Sequence, residues 1–270
     1  MKAAVTGVIL AILVVAGIAL NTQSSNSYLQ TTSSAMTTHS GLQTINGISR
    51  IELRTHDAKT PSHAVIWLHG LGATADDFVP IVPYLNLVPD LSIKFVFPQA
   101  PDRPITINGG MRMPGWYDIK GLSIQDKQDS EGMTQSAALV ATLISELNEQ
   151  GIESSNILLA GFSQGGAVIY HQGLRHPEAL AGLIALSTYL PFADEVARDA
   201  SLINKKLPIL INHGQYDAVV PLAMGEVSAQ RLTELGYSVS WQVYPMEHEV
   251  VMEQIQALGA WINDRFDPSR

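Results

Sequence analysis

The sequence predicts an α/β fold, a mainly parallel sheet covered by helices on both faces. Three observations predict it. Short apolar runs such as 64–68, 93–97 and 157–160 have the composition of strands buried on both sides. These runs alternate with longer segments of helical periodicity. A Gly161-Phe162-Ser163-Gln164-Gly165 pentapeptide stands between one such run and a helix start, where a serine projects above the sheet.

The elements follow in order. Residues 48 to 55 alternate, with Ile48, Arg50, Ile51 and Leu53, and read as an edge strand. The runs 64–68 and 93–97 are the next strands. Residues 133–150 form a helix, because Met133, Ala137, Val140, Ile144 and Leu147 share one face and Gly151 suits the stop. The strand before the pentapeptide leads into a helix that runs on from Gly166. Residues 183–186, 208–211 and 239–243 are the remaining strands. Pro221 opens a helix that Gly236 ends. The last helix puts Val251, Ile255, Leu258 and Ile262 on one face. No internal repeat and no second domain is visible.

Composition narrows the function. The chain has 270 residues, 46% hydrophobic and 15% charged, which suits one α/β domain with a substantial core. A net charge of −9 without a Lys/Arg cluster argues against a nucleic-acid partner. The absence of cysteine excludes disulfides, thiol catalysis and zinc–cysteine sites. A nucleophile in this chain is oxygen or nitrogen.

The N-terminus reads separately. Lys2 precedes an uncharged apolar run from Ala3 to Leu20. Two readings stay open: a signal peptide with a small-x-small pair at Gly17 and Ala19, or an uncleaved anchor giving membrane association through residues 3–20. Residues 21–47 are rich in Ser, Thr, Asn and Gln without formal charge and read as a flexible tether. The expected organisation is therefore residues 1–20 as signal or anchor, 21–47 as tether and 48–270 as the catalytic domain. That domain is expected to be exported, either periplasmic or anchored outside the cytoplasm.

In a parallel sheet the loops after strand ends carry chemistry. Asp217 follows the strand ending at Ile211, and His248 follows the strand ending at Val243. The chain order Ser163, Asp217, His248 suits a serine nucleophile, a carboxylate that orients the base, and a histidine base. An imidazole of ordinary pKa, about 6.5, predicts a rate that rises with pH around 6 to 7. His213 precedes the acid in the same loop and reads as a support for the turn, and Asp194 is a weaker rival acid. The loop His69-Gly70-Leu71-Gly72 also follows a strand. Backbone N–H groups of Leu71 and of Gln164, the residue after the nucleophile, are the expected oxyanion donors. His69 reads as a buttress of that loop.

With these segments in view, the chain resembles the carboxylesterase and acyl-protein thioesterase family of α/β-hydrolases. The matching motifs are 68–73 with Asp76, Asp77 and Phe78; 97–101; 116–118; 161–166; 186–190; 213–217 with 219–221; and 244–248. The segment 103–110 leans toward the bacterial carboxylesterases of that family, and the resemblance covers about residues 45 to 265. It implies an α/β-hydrolase fold with a minimal lid, a Ser-Asp-His esterase, and no cofactor or metal. The expected partner is a small-molecule or lipid-like ester. Met111, Met113, Trp116, Tyr117 and Leu122 are expected to line an acyl pocket, the alternative being that Trp116 and Tyr117 only pack the domain. The leading function is carboxylesterase. The alternatives are cleavage of thioesters on lipidated proteins and, from another class, non-catalytic ligand binding. Acyl-chain length, ester against thioester preference and homo-oligomeric state leave no mark in these residues.

Overall fold

A computed structural model describes residues 40–56, 59–121 and 128–266. The strands are β1 (Gln43–Ile45), β2 (Ile48–Arg54), β3 (His63–Leu68), β4 (Ile93–Pro98), β5 (Asp102–Ile105), β6 (Met111–Pro114), β7 (Ile157–Phe162), β8 (Gly182–Leu186), β9 (Pro208–Gly214) and β10 (Ser238–Tyr244). The helices are α1 (Ser130–Glu149), α2 (Gln164–Arg175), α3 (Ala193–Asp199), α4 (Leu222–Glu234) and α5 (Met252–Arg265). Eight strands form the main sheet in the order β1-β2-β4-β3-β7-β8-β9-β10. From β4 to β10 every neighbouring pair is parallel, and the β1–β2 and β2–β4 pairs are antiparallel.

The apolar runs are continuous because both faces of the sheet are covered. In β7, Ile157 and Leu159 enter a core shared with Val140 of α1, Val168 of α2 and Leu232 of α4. The alternate residues Leu158, Ala160 and Phe162 enter a second core with Ile255, Leu258 and Ile262 of α5. All six residues of β7 are buried. Each large apolar side chain so buried contributes about 1.5–3 kcal/mol, so a polar residue on either face would be costly.

Two hairpins depart from the expected elements. Asn46 and Gly47 both have positive φ, 51° and 79°, and make the tight turn that joins β1 to β2. Residues 48–54 are therefore not an edge strand along their whole length, and the first strand of the described residues, β1, lies inside the segment read as tether. The second hairpin pairs β5 with β6 from Asp102↔Pro114 to Ile105↔Met111, where only a loop was expected. The apolar segment 1–20 and the tether up to residue 39 lie outside the described residues.

Parallel pairing sends the carboxyl ends of β3, β7, β8, β9 and β10 to one edge of the sheet. The loops that leave those ends hold His69–Gly72, Ser163, Ser187–Leu190, Gln215–Val220 and Pro245–Val250. They are distant in sequence and adjacent in space.

Candidate active site

Ser163 leaves β7 with φ 52° and ψ −119°, a conformation that side-chain-bearing residues rarely adopt. The surroundings over-determine it. The Ser163 N–H donates to the Leu186 carbonyl at 2.9 Å, and the Ser163 carbonyl accepts the Thr188 hydroxyl at 2.7 Å. The glycines on either side are a steric necessity. A Cβ at Gly161 would stand 2.5 Å from the Gly165 carbonyl carbon, and one at Gly165 would stand 2.6 Å from the carbonyl oxygens of Leu68 and His69. Strand, turn and helix thus close tightly and leave the serine side chain partly exposed at the start of α2.

Three loops meet at this serine. His248 Nε2 lies 2.9 Å from Ser163 Oγ, and His248 Nδ1 lies 2.7 Å from Asp217 Oδ2. The Asp217 side chain is fully enclosed, and its Oδ1 accepts the N–H groups of Val219 and Val220 at 2.9 and 2.8 Å. With the carboxylate engaged as an acceptor, His248 Nδ1 is the donor. That tautomer leaves the Nε2 lone pair facing the serine hydroxyl. The Phe162 ring packs against the imidazole with centroids 4.7 Å apart.

His213 also faces Asp217, at 3.6 Å from Oδ2, but its Nε2 lies 2.8 Å from the Val220 carbonyl. A carbonyl only accepts, so this nitrogen carries the proton and donates. Burial pushes the His213 pKa down, and no contact reaches Ser163. His69 is equally enclosed. Its Nδ1 lies 2.7 Å from the Gly70 carbonyl, and its Nε2 accepts the Ala100 N–H at 3.1 Å. Burial lowers its pKa to about 4, so the ring is neutral and both nitrogens serve the backbone. Asp194 sits on α3, away from these contacts.

The glycine loop after β3 lies against the elbow. A Cβ at Gly70 would stand 3.5 Å from Ser163 Cβ. The Gly72 N–H donates to the Pro114 carbonyl at 2.8 Å, which ties this loop to the β5–β6 hairpin. Leu71 is buried within it. Gln164 is the first residue of α2, where helical geometry offers its N–H no intrahelical acceptor.

The expected pocket residues separate. Met111 is 62% exposed at the end of the hairpin. Met113 Sδ sits 3.7 Å from where a Gly72 Cβ would stand, and Asn108 Nδ2 points at it from 3.5 Å. Trp116 corrects the expectation of an acyl-lining ring. It is 0% exposed, packs on His69 at 5.1 Å between centroids, and donates its indole N–H to the His69 carbonyl at 2.8 Å. Tyr117 is buried in the same core, with its hydroxyl 2.8 Å from that of Tyr189. Leu122 lies outside the described residues. Two features escaped sequence reasoning: the side chain of Gln164, of which only the backbone was considered, and the Thr188 hydroxyl. The 186–190 motif after β8 was the available signal for Thr188.

A hydroxyl, an imidazole acceptor and an enclosed carboxylate in series can carry nucleophilic acyl transfer. Comparison with known proteins agrees in kind. Residues 51–265 match the phospholipase/carboxylesterase family. An acyl-protein thioesterase 1 of Gibberella zeae is 37% identical over 215 residues, covering 76% of this chain and 91% of that protein. A probable carboxylesterase of Oryza sativa is 34% identical over 209 residues, covering 76% and 79%. Among solved structures, Arabidopsis thaliana SOBER1 superposes with a TM-score of 0.72 at 27% identity, covering 76% of this chain and 99% of that one. Zea mays acyl-protein thioesterase 2 gives 0.70 at 28%, covering 79% and 98%.

These relatives overturn one expectation. An exported, periplasmic or membrane-anchored catalytic domain does not accord with a chain whose similar proteins include several acyl-protein thioesterases. Among the described residues no helix is long and apolar enough to cross a membrane. The expectation rested on the apolar run of residues 3–20, the Lys2 flank, the small-x-small pair and the polar tether after it, and such features state a length and a composition, not a destination. With that corrected, fold, elbow and relatives agree: the chain belongs to the phospholipase/carboxylesterase family of α/β-hydrolases.

Proposed function

We propose that the protein hydrolyses carboxylic esters through an acyl-enzyme on Ser163. The observation that carries this reading is the Ser163–His248–Asp217 series, with contacts of 2.9 and 2.7 Å. Ser163 Oγ attacks the ester carbonyl as His248 Nε2 takes its proton. Asp217 holds the imidazole in the required tautomer and stabilises its positive form. The N–H groups of Gln164 and Leu71 hold the oxyanion. His248 then returns the proton to the departing alkoxide, and an alcohol leaves. A water molecule, deprotonated by the same imidazole, attacks the acyl-enzyme and releases the carboxylic acid. No step draws on a metal or cofactor.

The substrate class follows from the rim. Met111, Met113 and Ile107 place flexible apolar groups on the hairpin beside the glycine loop, which suits an acyl chain. A second reading, hydrolysis of thioesters on lipidated proteins, is favoured by the acyl-protein thioesterases among the relatives. We place the catalytic unit in the sheet-bearing part of the chain. A protein starting at Ser40, which keeps the β1–β2 hairpin, should turn over a soluble ester as the full chain does.

A fluorophosphonate probe should label the protein stoichiometrically and leave Ser163→Ala unlabelled. A panel of oxygen esters and thioesters over several chain lengths then decides between the two substrate classes. Labelling that persists in Ser163→Ala would sink the assignment.

A further inference from the structure

We infer that Gln164 and Trp116 form a buried brace that sets the spacing between the two halves of the oxyanion site, and that both are positioning residues. The inference rests on the reading above, which puts one donor N–H on Gln164 and the other on Leu71. These donors belong to separate elements. The last β3–β7 pair is Leu68↔Gly161; β3 ends there, and β7 runs one residue further, paired only with β8. Something other than strand pairing must hold Leu71 and Gln164 in register.

The Gln164 side chain is 2% exposed and points away from solvent. Its Oε1 accepts the Trp116 N–H at 2.7 Å, and its Nε2 donates to the Tyr117 carbonyl at 2.7 Å. The two bonds run in opposite senses to consecutive residues, so the amide has one orientation: a flip would set donor against donor. Trp116 carries the connection onward. Its indole N–H donates to the His69 carbonyl at 2.8 Å, two residues before Leu71. Its own carbonyl accepts the Ser136 hydroxyl of α1. The neutral His69 ring fixes the far side through Gly70 and Ala100. Gly70, which lies beside the Phe162 ring and Ser163, closes the circuit. Every polar atom of the Gln164 and Trp116 side chains is thus spent inside the protein, and none is free to touch a substrate.

Such a brace acts on the transition state, because the donors must match the oxyanion more closely than the ground-state carbonyl. A displacement of about 1 Å at such a site costs on the order of 10²-fold in rate. The test is Trp116→Phe in the full-length protein, which keeps a ring and deletes the N–H. We expect kcat on a short-chain p-nitrophenyl ester to fall by about tenfold or more, with KM within about twofold and a cooperative melt retained. Affinity for an alkylboronic acid, which forms a tetrahedral anion on serine, should fall in parallel with kcat/KM. Gln164→Met, of similar volume, removes both bonds from the elbow side and should give the same signature if Trp116→Phe does not fold. The double variant should be no worse than the worse single one, since both cut one circuit.

Unchanged kcat in either folded variant would overturn the brace. So would a loss confined to KM, an unchanged boronate affinity beside a lowered kcat, or a double loss equal to the product of the singles. Full turnover in Ser163→Ala would instead condemn the acyl-enzyme reading. A dead Ser163→Ala beside normal brace variants condemns the brace alone.

Discussion

The end of β9 and the loop after β10 each bring a histidine to the same oxygen of Asp217. His213, at the end of β9, is fully enclosed, 3.6 Å from Oδ2, with its Nε2 proton committed to the Val220 carbonyl. His248, beyond β10, stands 2.7 Å from that oxygen and keeps its second nitrogen directed at Ser163. Residue type and shared carboxylate are the same in both places. What differs is where the free lone pair points: His213 meets the carboxylate and the Val220 carbonyl with the same Nε2 and leaves Nδ1 buried against Gly225, whereas His248 turns its Nε2 to Ser163. A histidine can serve as a base only through a lone pair directed at the group it deprotonates, and one whose proton is owed to the backbone and whose lone pair faces the core serves as a strut.

This contrast can be broken most sharply by removing each ring. His248→Ala and Ser163→Ala should each lower kcat/KM by a factor of about 10³ or more in a folded protein, because nucleophile and base act as a unit. Asp217→Asn removes the acceptor that orients His248 and should cost about 10²–10³ by presenting the wrong tautomer. Steady-state kinetics beside a circular-dichroism melt separates these losses from unfolding.

His213→Ala should show the opposite balance. The site is fully buried, and the change opens a cavity and strands the Val220 carbonyl, so a stability loss on the order of 2–4 kcal/mol is expected in urea titration. Turnover at a temperature where the variant stays folded should fall by no more than about tenfold. An inactive His213→Ala of normal stability, together with an active His248→Ala, would reverse the assignment of the base.

The smallest effect concerns protons. Burial lowers the pKa of both His69 and His213, that of His69 to about 4. Unfolding returns each ring to about 6.5, so between those values the unfolded chain binds more protons and stability falls as pH falls. The His69 contribution is fully present above about pH 6.5 and is lost progressively toward pH 4. Ring resonances of His69 should not move between pH 8 and 6. Titration of His69 together with the rate would join a buttress and a base that the geometry keeps apart.

Much of this site was legible in the sequence, because each member follows a strand whose type the apolar pattern makes plain. Ser163 came with its glycines, and Asp217 and His248 came with their places after β9 and β10. What escaped depends on contacts between segments. The β5–β6 hairpin has four-residue strands and carries Pro104, which cannot donate to a ladder, so alternation was too brief to register. The β1–β2 turn did carry an Asn46-Gly47 signal, outweighed by the polar composition before it. Trp116 beside two methionines has the composition of a ligand pocket. Only the packing of His69 and Gln164 around it shows that the ring faces inward.

The order of strands across the sheet bears on how the protein comes into being. β10 is the outermost strand at its end of the sheet and the last of the strands in the chain, and His248 lies in the loop that leaves it. Domains grow from the N-terminus during synthesis, so on the reading proposed above a ribosome-bound chain that has already laid down β3, β7 and the elbow still lacks the base His248 would supply. Under that reading Ser163 would remain an ordinary alcohol until then. Reactivity arrives only with the closing edge of the sheet, and a chain cut short before β10 would be silent however much of its core had formed.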